Sequence, residues 1–112
     1  MTDKAGSLKS KVYEFVKSIP EGRVVYYGMV AAFVGSDART VGWILSGMRE
    51  DEYDLIPWQR VVGKQGTIPA DKLGFKGKLQ RELLEKEGVE FVNDLVDMKR
   101  FLMRVEANEV LV

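Results

Sequence analysis

Apolar positions along the chain alternate between helical and extended patterns. Leu8, Val12, Phe15, Val16 and Ile19 recur at helical spacing, so a first helix is expected with Ser7 as its N-cap and Pro20 as its stop. Pro20-Glu21-Gly22 then reads as a turn, and Arg23 to Tyr26 as a short extended stretch. A second helix is expected from about Gly28 to Val34, ended by Gly35. A third follows from about Ala38 to Met48, capped by Asp37, with Val41, Leu45 and Met48 turned inward. The acidic run Glu50 to Asp54 reads as a loop. Val61-Val62 and Thr67-Ile68 flank Gly63-Lys64-Gln65-Gly66 as a small hairpin. A loop with Pro69, Gly74 and Gly77 leads to a helix over about Lys78 to Glu87, stopped by Gly88. Val89 to Val92 reads as extended. Asp94 is expected to cap a last helix with Leu95, Met98, Leu102 and Val105 on one face.

The second and third helices form a pattern of their own. Ala31 is small where two helices must cross closely, and Gly35 supplies the positive φ of a tight turn. Val30, Val34, Val41 and Ile44 close the apolar contact. That is the pattern of a helix-turn-helix unit, although the spacing alone also fits a plain compact helical hairpin. With a helix before it and a hairpin after it, the expected fold is mainly α with a small β-hairpin, a winged-helix-like domain spanning residues 1–112. The third helix holds no Asn, Gln or Lys, residues that with Arg read base edges in the major groove. It offers Arg39 and otherwise small groups, with Gly42, Ser46 and Gly47 allowing close backbone approach. Such a helix suits a narrow groove better than sequence readout. Trp43 is assigned to core or surface packing, without a role.

Composition narrows the chemistry. The 112 residues include no cysteine and no histidine, which excludes disulfides, a thiolate nucleophile, thiolate–imidazole metal sites and the commonest general base at neutral pH. Any catalysis would have to rest on carboxylates, lysine, tyrosine or hydroxyls, and no metal ligand or cofactor is expected. Seventeen basic and seventeen acidic residues cancel. Residues 1–49 nevertheless carry seven Lys/Arg against four Asp/Glu, enough for weak, salt-sensitive phosphate contacts. No apolar run suits a membrane span, and the first residues lack the apolar core of a secretory signal. The expected location is cytoplasmic (nucleoid) or nuclear, not secreted, and the expected state is a monomer without membrane contact.

Several separated pieces agree in order and spacing. Tyr27 opens the second helix, Ala38-Arg39-Thr40-Val41-Gly42 opens the third, and Ile56-Pro57-Trp58-Gln59-Arg60-Val61 follows the acidic loop, with Glu87-Gly88 later. This combination resembles the DNA-binding domain of the O6-alkylguanine-DNA alkyltransferases. In that family a Pro-Cys-His-Arg-Val motif carries the cysteine that takes the alkyl group. Trp58 stands at the cysteine position here, as in the non-catalytic, alkyltransferase-like branch.

The resemblance implies a partner and a mechanism. The partner is double-stranded DNA with O6-alkylguanine, bound through the minor groove, with the damaged nucleotide rotated out of the stack. Arg39 matches the finger arginine that fills the vacated stack, and Tyr27 the tyrosine that helps turn the phosphate. Trp58 would line the lesion pocket as an apolar wall with one N–H donor. The implied outcome is lesion marking for nucleotide excision repair proteins, without alkyl transfer. Taken singly, Tyr27 reads as a half-buried aromatic, Arg39 as a solvated charge and Trp58 as core. Arg60 reads as a brace for a carbonyl or acid, and Glu87 as a surface carboxylate.

Some positions depart from the family. Gln59 stands where the family has histidine; it can hydrogen-bond but cannot relay a proton. Glu50 stands for an asparagine before the turn, and Asp71, beside Lys72, for an arginine that senses the modified base in some relatives. Two other function classes compete. A winged-helix transcription regulator would need base-reading side chains on the third helix. An enzyme would need Glu50 or Glu87 as acid or base, and no spacing pairs them.

Overall fold

The computed structural model describes residues 7–68 and 75–104, with the side chains of residues 75 and 76 excepted. The first helix, α1 (Leu8–Lys17), is capped by Ser7, whose Oγ accepts the Ser10 N–H at 3.1 Å. It buries Val12, Phe15 and Val16. Strand β1 (Val25–Tyr26) runs straight into α2 (Tyr27–Val34), which ends on Gly35 at φ 79°. Glycine adopts that left-handed conformation without strain, and the chain reverses there. Asp37 then caps α3 (Ala38–Ser46), its carboxylate accepting the Thr40 N–H at 2.8 Å. Ala31, Val30, Val41 and Leu45 are buried between the two helices, so the expected helix-turn-helix forms. The helix α3 stops at Ser46, two residues sooner than expected.

The acidic stretch read as a loop is instead a short helix, α4 (Glu50–Tyr53). Its first turn holds Glu50, Asp51 and Glu52, a placement that the positive helix N-terminus favours. Glu52 accepts the Arg49 N–H at 3.0 Å and the Tyr13 hydroxyl at 3.2 Å, which ties α4 back to α1. A single 3₁₀ turn (Trp58–Arg60) leads into β2 (Val61–Val62).

The hairpin expected between Val61-Val62 and Thr67-Ile68 does not form. β2 pairs in parallel with β1, Val25 opposite Val61 and Tyr26 opposite Val62. The physical reason lies in burial on both faces. Val25 and Val61 belong to the core beneath α1, α2 and α3, whereas Val24 and Val62 belong to a second core with Ile68, Leu84, Val89, Val96 and Phe101. All four valines are fully buried, each contributing about 1.5–3 kcal/mol, and a surface hairpin would expose one face of them. Gly63 still donates to Thr67 O at 2.8 Å, so the glycine-rich segment closes as a turn without strands.

The later helix, α5 (Phe75–Lys86), starts sooner than expected, and Gly88 follows it at φ 93°. Asp94 does not cap a helix. Asn93 and Asp94 sit at φ 54° and 66° and form the tight turn of a hairpin between β3 (Phe91–Val92) and β4 (Leu95–Val96). Asn and Asp tolerate that backbone region, and a two-residue turn with both φ positive matches the twist of paired strands. Leu95 is therefore a strand residue, and only Met98–Phe101 is helical (α6). Val105 and the loop positions Pro69, Asp71, Lys72 and Gly74 lie outside the described residues. Among the described residues the architecture is mainly helical with two small sheets, and no helix is long and apolar enough to cross a membrane.

Candidate DNA-lesion site

The turn at Pro57-Trp58-Gln59-Arg60 is tight and held from several sides. Trp58 N–H donates to Ile56 O at 2.7 Å and Arg60 N–H to Pro57 O at 3.0 Å. Beneath it lies Glu87, at the end of α5. Its carboxylate accepts from Gln59 Nε2 at 2.7 Å, from Arg60 Nε at 3.0 and 3.1 Å, from Arg60 Nη2 at 3.1 Å, and from the Gly22 N–H at 2.9 Å. Arg60 spends Nη1 on Ile19 O at 2.8 Å. The Arg60 and Glu87 side chains are only 16% and 9% exposed. Burial pushes the Glu87 carboxyl up, but the donors from Arg60, Gly22 and Gln59 outweigh it and leave it below its ordinary value. Glu87 is therefore an ionised hub that joins the α1–β1 turn, the Trp58 turn and α5.

Gln80 completes the clamp. It is 2% exposed and donates Nε2 to Gln59 O at 3.1 Å and Val61 O at 2.9 Å. Sequence reading missed it. A signal existed: a polar residue on the inward stripe Gly77, Gln80, Leu84 of α5 needs a buried acceptor.

Trp58 is half-buried and packs against the first core, its ring 5.7 Å from that of Tyr53. An open cleft of about 810 Å³ adjoins it, lined by Lys17, Glu50, Tyr53, Leu55, Pro57 and Trp58 among others. Glu50 thus borders the same cleft. The wall is mixed: two aromatic rings and leucine side chains supply apolar area, and Lys17, Glu50 and Asp54 supply charge. Among the described residues, no group of His, Cys, Asp and Glu could hold a metal ion.

Tyr27, Arg39 and Gly42 sit on the helix-turn-helix. Gly42 faces the Tyr27 ring, and a Cβ at Gly42 would lie 3.9 Å from Tyr27 Cε1. Tyr27 packs against the same core as Trp58. Burial of its hydroxyl pushes the Tyr27 pKa up to about 12, so it stays a neutral donor at physiological pH. Arg39 is exposed at the start of α3, with its guanidinium carbon 6.0 Å from the Trp43 ring centroid. Trp43, expected in core or surface packing, is 67% exposed, so it lies on the surface and not in the core. The sequence-derived residues thus fall into two groups, Tyr27, Arg39 and Gly42 on the helix-turn-helix, and Trp58, Gln59, Arg60 and Glu87 at the turn.

Comparison with known proteins accords with this geometry. The family model for the DNA-binding domain of 6-O-methylguanine DNA methyltransferase matches residues 7–89. The chain is 39% identical over 83 residues to alkyltransferase-like protein 1 of Schizosaccharomyces pombe, covering 72% of this chain and 75% of that protein. It is 42% identical over 89 residues to the DNA base-flipping protein of Escherichia coli, covering 78% of this chain and 66% of that one. The fold matches S. pombe Atl1, solved in complex with damaged DNA containing O6-carboxymethylguanine, at a TM-score of 0.79 and 30% identity, over 88% of this chain and 95% of the other. A domain family matched from α1 to Val89, together with that likeness to alkyltransferase-like protein 1, places the chain in the alkyltransferase-like branch of the 6-O-methylguanine DNA methyltransferase family.

Proposed function

We propose that this protein docks its helix-turn-helix in the minor groove of duplex DNA, with α3 along the groove, and recognises O6-alkylguanine there; it holds the flipped nucleotide beside Trp58 without removing its alkyl group, and marks the site for nucleotide excision repair. The observation that carries the reading is Trp58 itself. By the family resemblance it stands at the cysteine position, and it sits on a turn braced by Gln59, Arg60 and Glu87, beside an open cleft of about 810 Å³. A chain with no cysteine has no thiolate to accept the alkyl group. Gln59 spends its amide on Glu87 and cannot relay a proton. The site is built to hold a base, not to react with it.

Magnitudes favour discrimination. Extruding a nucleotide costs a few kcal/mol, and less for a base whose pairing is already weakened by an alkyl group. An aromatic wall returns about 1–3 kcal/mol per stacked base. The sum sits near balance, so a damaged guanine settles in the cleft and a paired one does not. Arg39 would fill the vacated stack with its flat guanidinium, and the Tyr27 hydroxyl would donate to the rotated phosphate.

The test is a titration with matched duplexes, one containing O6-methylguanine and one plain guanine, followed by gel shift and Trp emission. The lesion duplex should bind at least about tenfold more tightly and be recovered with its methyl group intact. Equal affinity for the two would overturn the reading.

A further inference from the structure

Trp43 is the one wide side chain on the outward stripe of α3. Arg39, Trp43 and Ser46 are exposed at i, i+4 and i+7, while Val41 and Leu45 face the core. Its neighbours on that side, Ala38, Gly42, Ser46 and Gly47, are small. A single exposed apolar residue is ordinary. Trp43 differs because it adjoins Arg39 on the helix that the proposed function lays in the minor groove, with the guanidinium 6.0 Å from its ring.

We propose that Trp43 is a second DNA contact, lying along the deoxyribose wall of the groove beside the finger arginine. The inference rests on the proposed function for the docking of α3 and adds a division of labour. The groove wall is a strip of sugar C–H groups, which a flat, amphipathic indole covers well. Its N–H can donate to the N3 and O2 acceptors that every A·T pair presents on the groove floor. None of these partners depends on an alkyl group. Trp43 therefore supplies grip on any duplex, and Trp58 supplies preference for the lesion. The small residues around Trp43 let the helix backbone approach closely enough for the ring to reach the wall.

Trp43→Ala and Trp43→Phe are compared with the unaltered protein on damaged and undamaged duplexes at low salt, alongside thermal unfolding. Trp43→Ala should weaken both duplexes by a common factor of about ten, with the ratio between them and the melting temperature unchanged, and Trp43→Phe should keep most of the affinity. In a Trp58→Phe protein the remaining indole should become protected from acrylamide quenching when undamaged duplex is added. Unchanged affinity for both duplexes overturns the proposal. So does a loss confined to the damaged duplex, or a loss of self-association in place of DNA binding. Persistent lesion preference with an inert Trp43 defeats only this inference, whereas absent lesion preference in the unaltered protein defeats the proposed function.

Discussion

The Arg60 guanidinium lies across both oxygens of the Glu87 carboxylate, Nε at 3.0 and 3.1 Å and Nη2 at 3.1 Å. A largely buried pair of this kind need not add much net stability, since both charges were desolvated to form it. Losing one partner is another matter, because the survivor is left buried and uncompensated.

Glu87→Ala should therefore cost about 3 kcal/mol in urea or thermal unfolding, leaving Arg60, Gln59 and the Gly22 N–H without their acceptor. Glu87→Gln keeps an acceptor but loses the charge and should cost roughly half as much. Near-neutral behaviour of Glu87→Ala would mean that the turn is held by the Gln80 bonds alone.

The same residue sets an acid limb. Glu87 titrates below its ordinary value of 4.5 in the fold, so its contribution is complete above that pH and is lost as the pH falls through the lower folded value. The gap in melting temperature between the unaltered protein and Glu87→Gln should shrink steadily below pH 4.5. Asp37 and Glu52, also held below their ordinary values, leave the variant some acid sensitivity. A gap that stays constant down to strong acid would show that Glu87 carries no charge-dependent stability.

Arg39→Ala should weaken binding to an O6-methylguanine duplex by about ten- to a hundredfold, with no loss of thermal stability, since Arg39 is exposed. Tyr27→Phe removes a hydroxyl while keeping the ring against Gly42. Its expected loss is smaller, about fivefold, corresponding to one neutral hydrogen bond. Retained affinity in Arg39→Ala would argue against a finger role.

Trp58→Cys should remain a binder and not become an alkyltransferase. The new thiol would have Gln59 beside it, an amide already engaged by Glu87, and no histidine in the chain to take its proton. Chromatography of the digested duplex should recover its O6-methylguanine undiminished. Rapid methyl loss would mean that the thiolate forms without a neighbouring base.

Gly66→Ala should be among the most damaging single-methyl additions. Gly66 sits at φ 92°, and an added Cβ would approach Val96 O to 2.5 Å and Val96 N to 2.9 Å. Those are backbone atoms of β4, so strain and clash together should cost roughly 3 kcal/mol in chemical unfolding. A stable variant would imply that the glycine-rich turn can detach from the hairpin.

Local signals carried most of the reading. Ser7, Gly35 and Asp37 are caps whose chemistry acts over a few residues, and the three helices they bound are where the pattern puts them. The Val61-Val62 pairing was illegible because its partner, β1, is remote in the chain, and nothing local distinguishes it from a hairpin. At Asn93-Asp94 two signals competed: a helical spacing through Leu95, Met98 and Leu102, and a turn dipeptide between two apolar pairs. The turn prevailed because both residues tolerate positive φ. At the site, Trp58, Gln59 and Arg60 announce themselves as a motif. Gly22 and Gln80 do not, since a backbone N–H and an amide gain their meaning only from the acceptors that folding delivers.

Val24 exchanges hydrogen bonds with Phe101 and Met103, while the next residue, Val25, pairs with Val61. Early, middle and late chain thus meet on one short ribbon, and two long loops must close before it exists. A chain still emerging from the ribosome can wind its helices but cannot complete that ribbon until the last third arrives. Folding should accordingly be slower than in a helical bundle of this size, and a fragment ending at the helix-turn-helix would be a poor substitute for the whole.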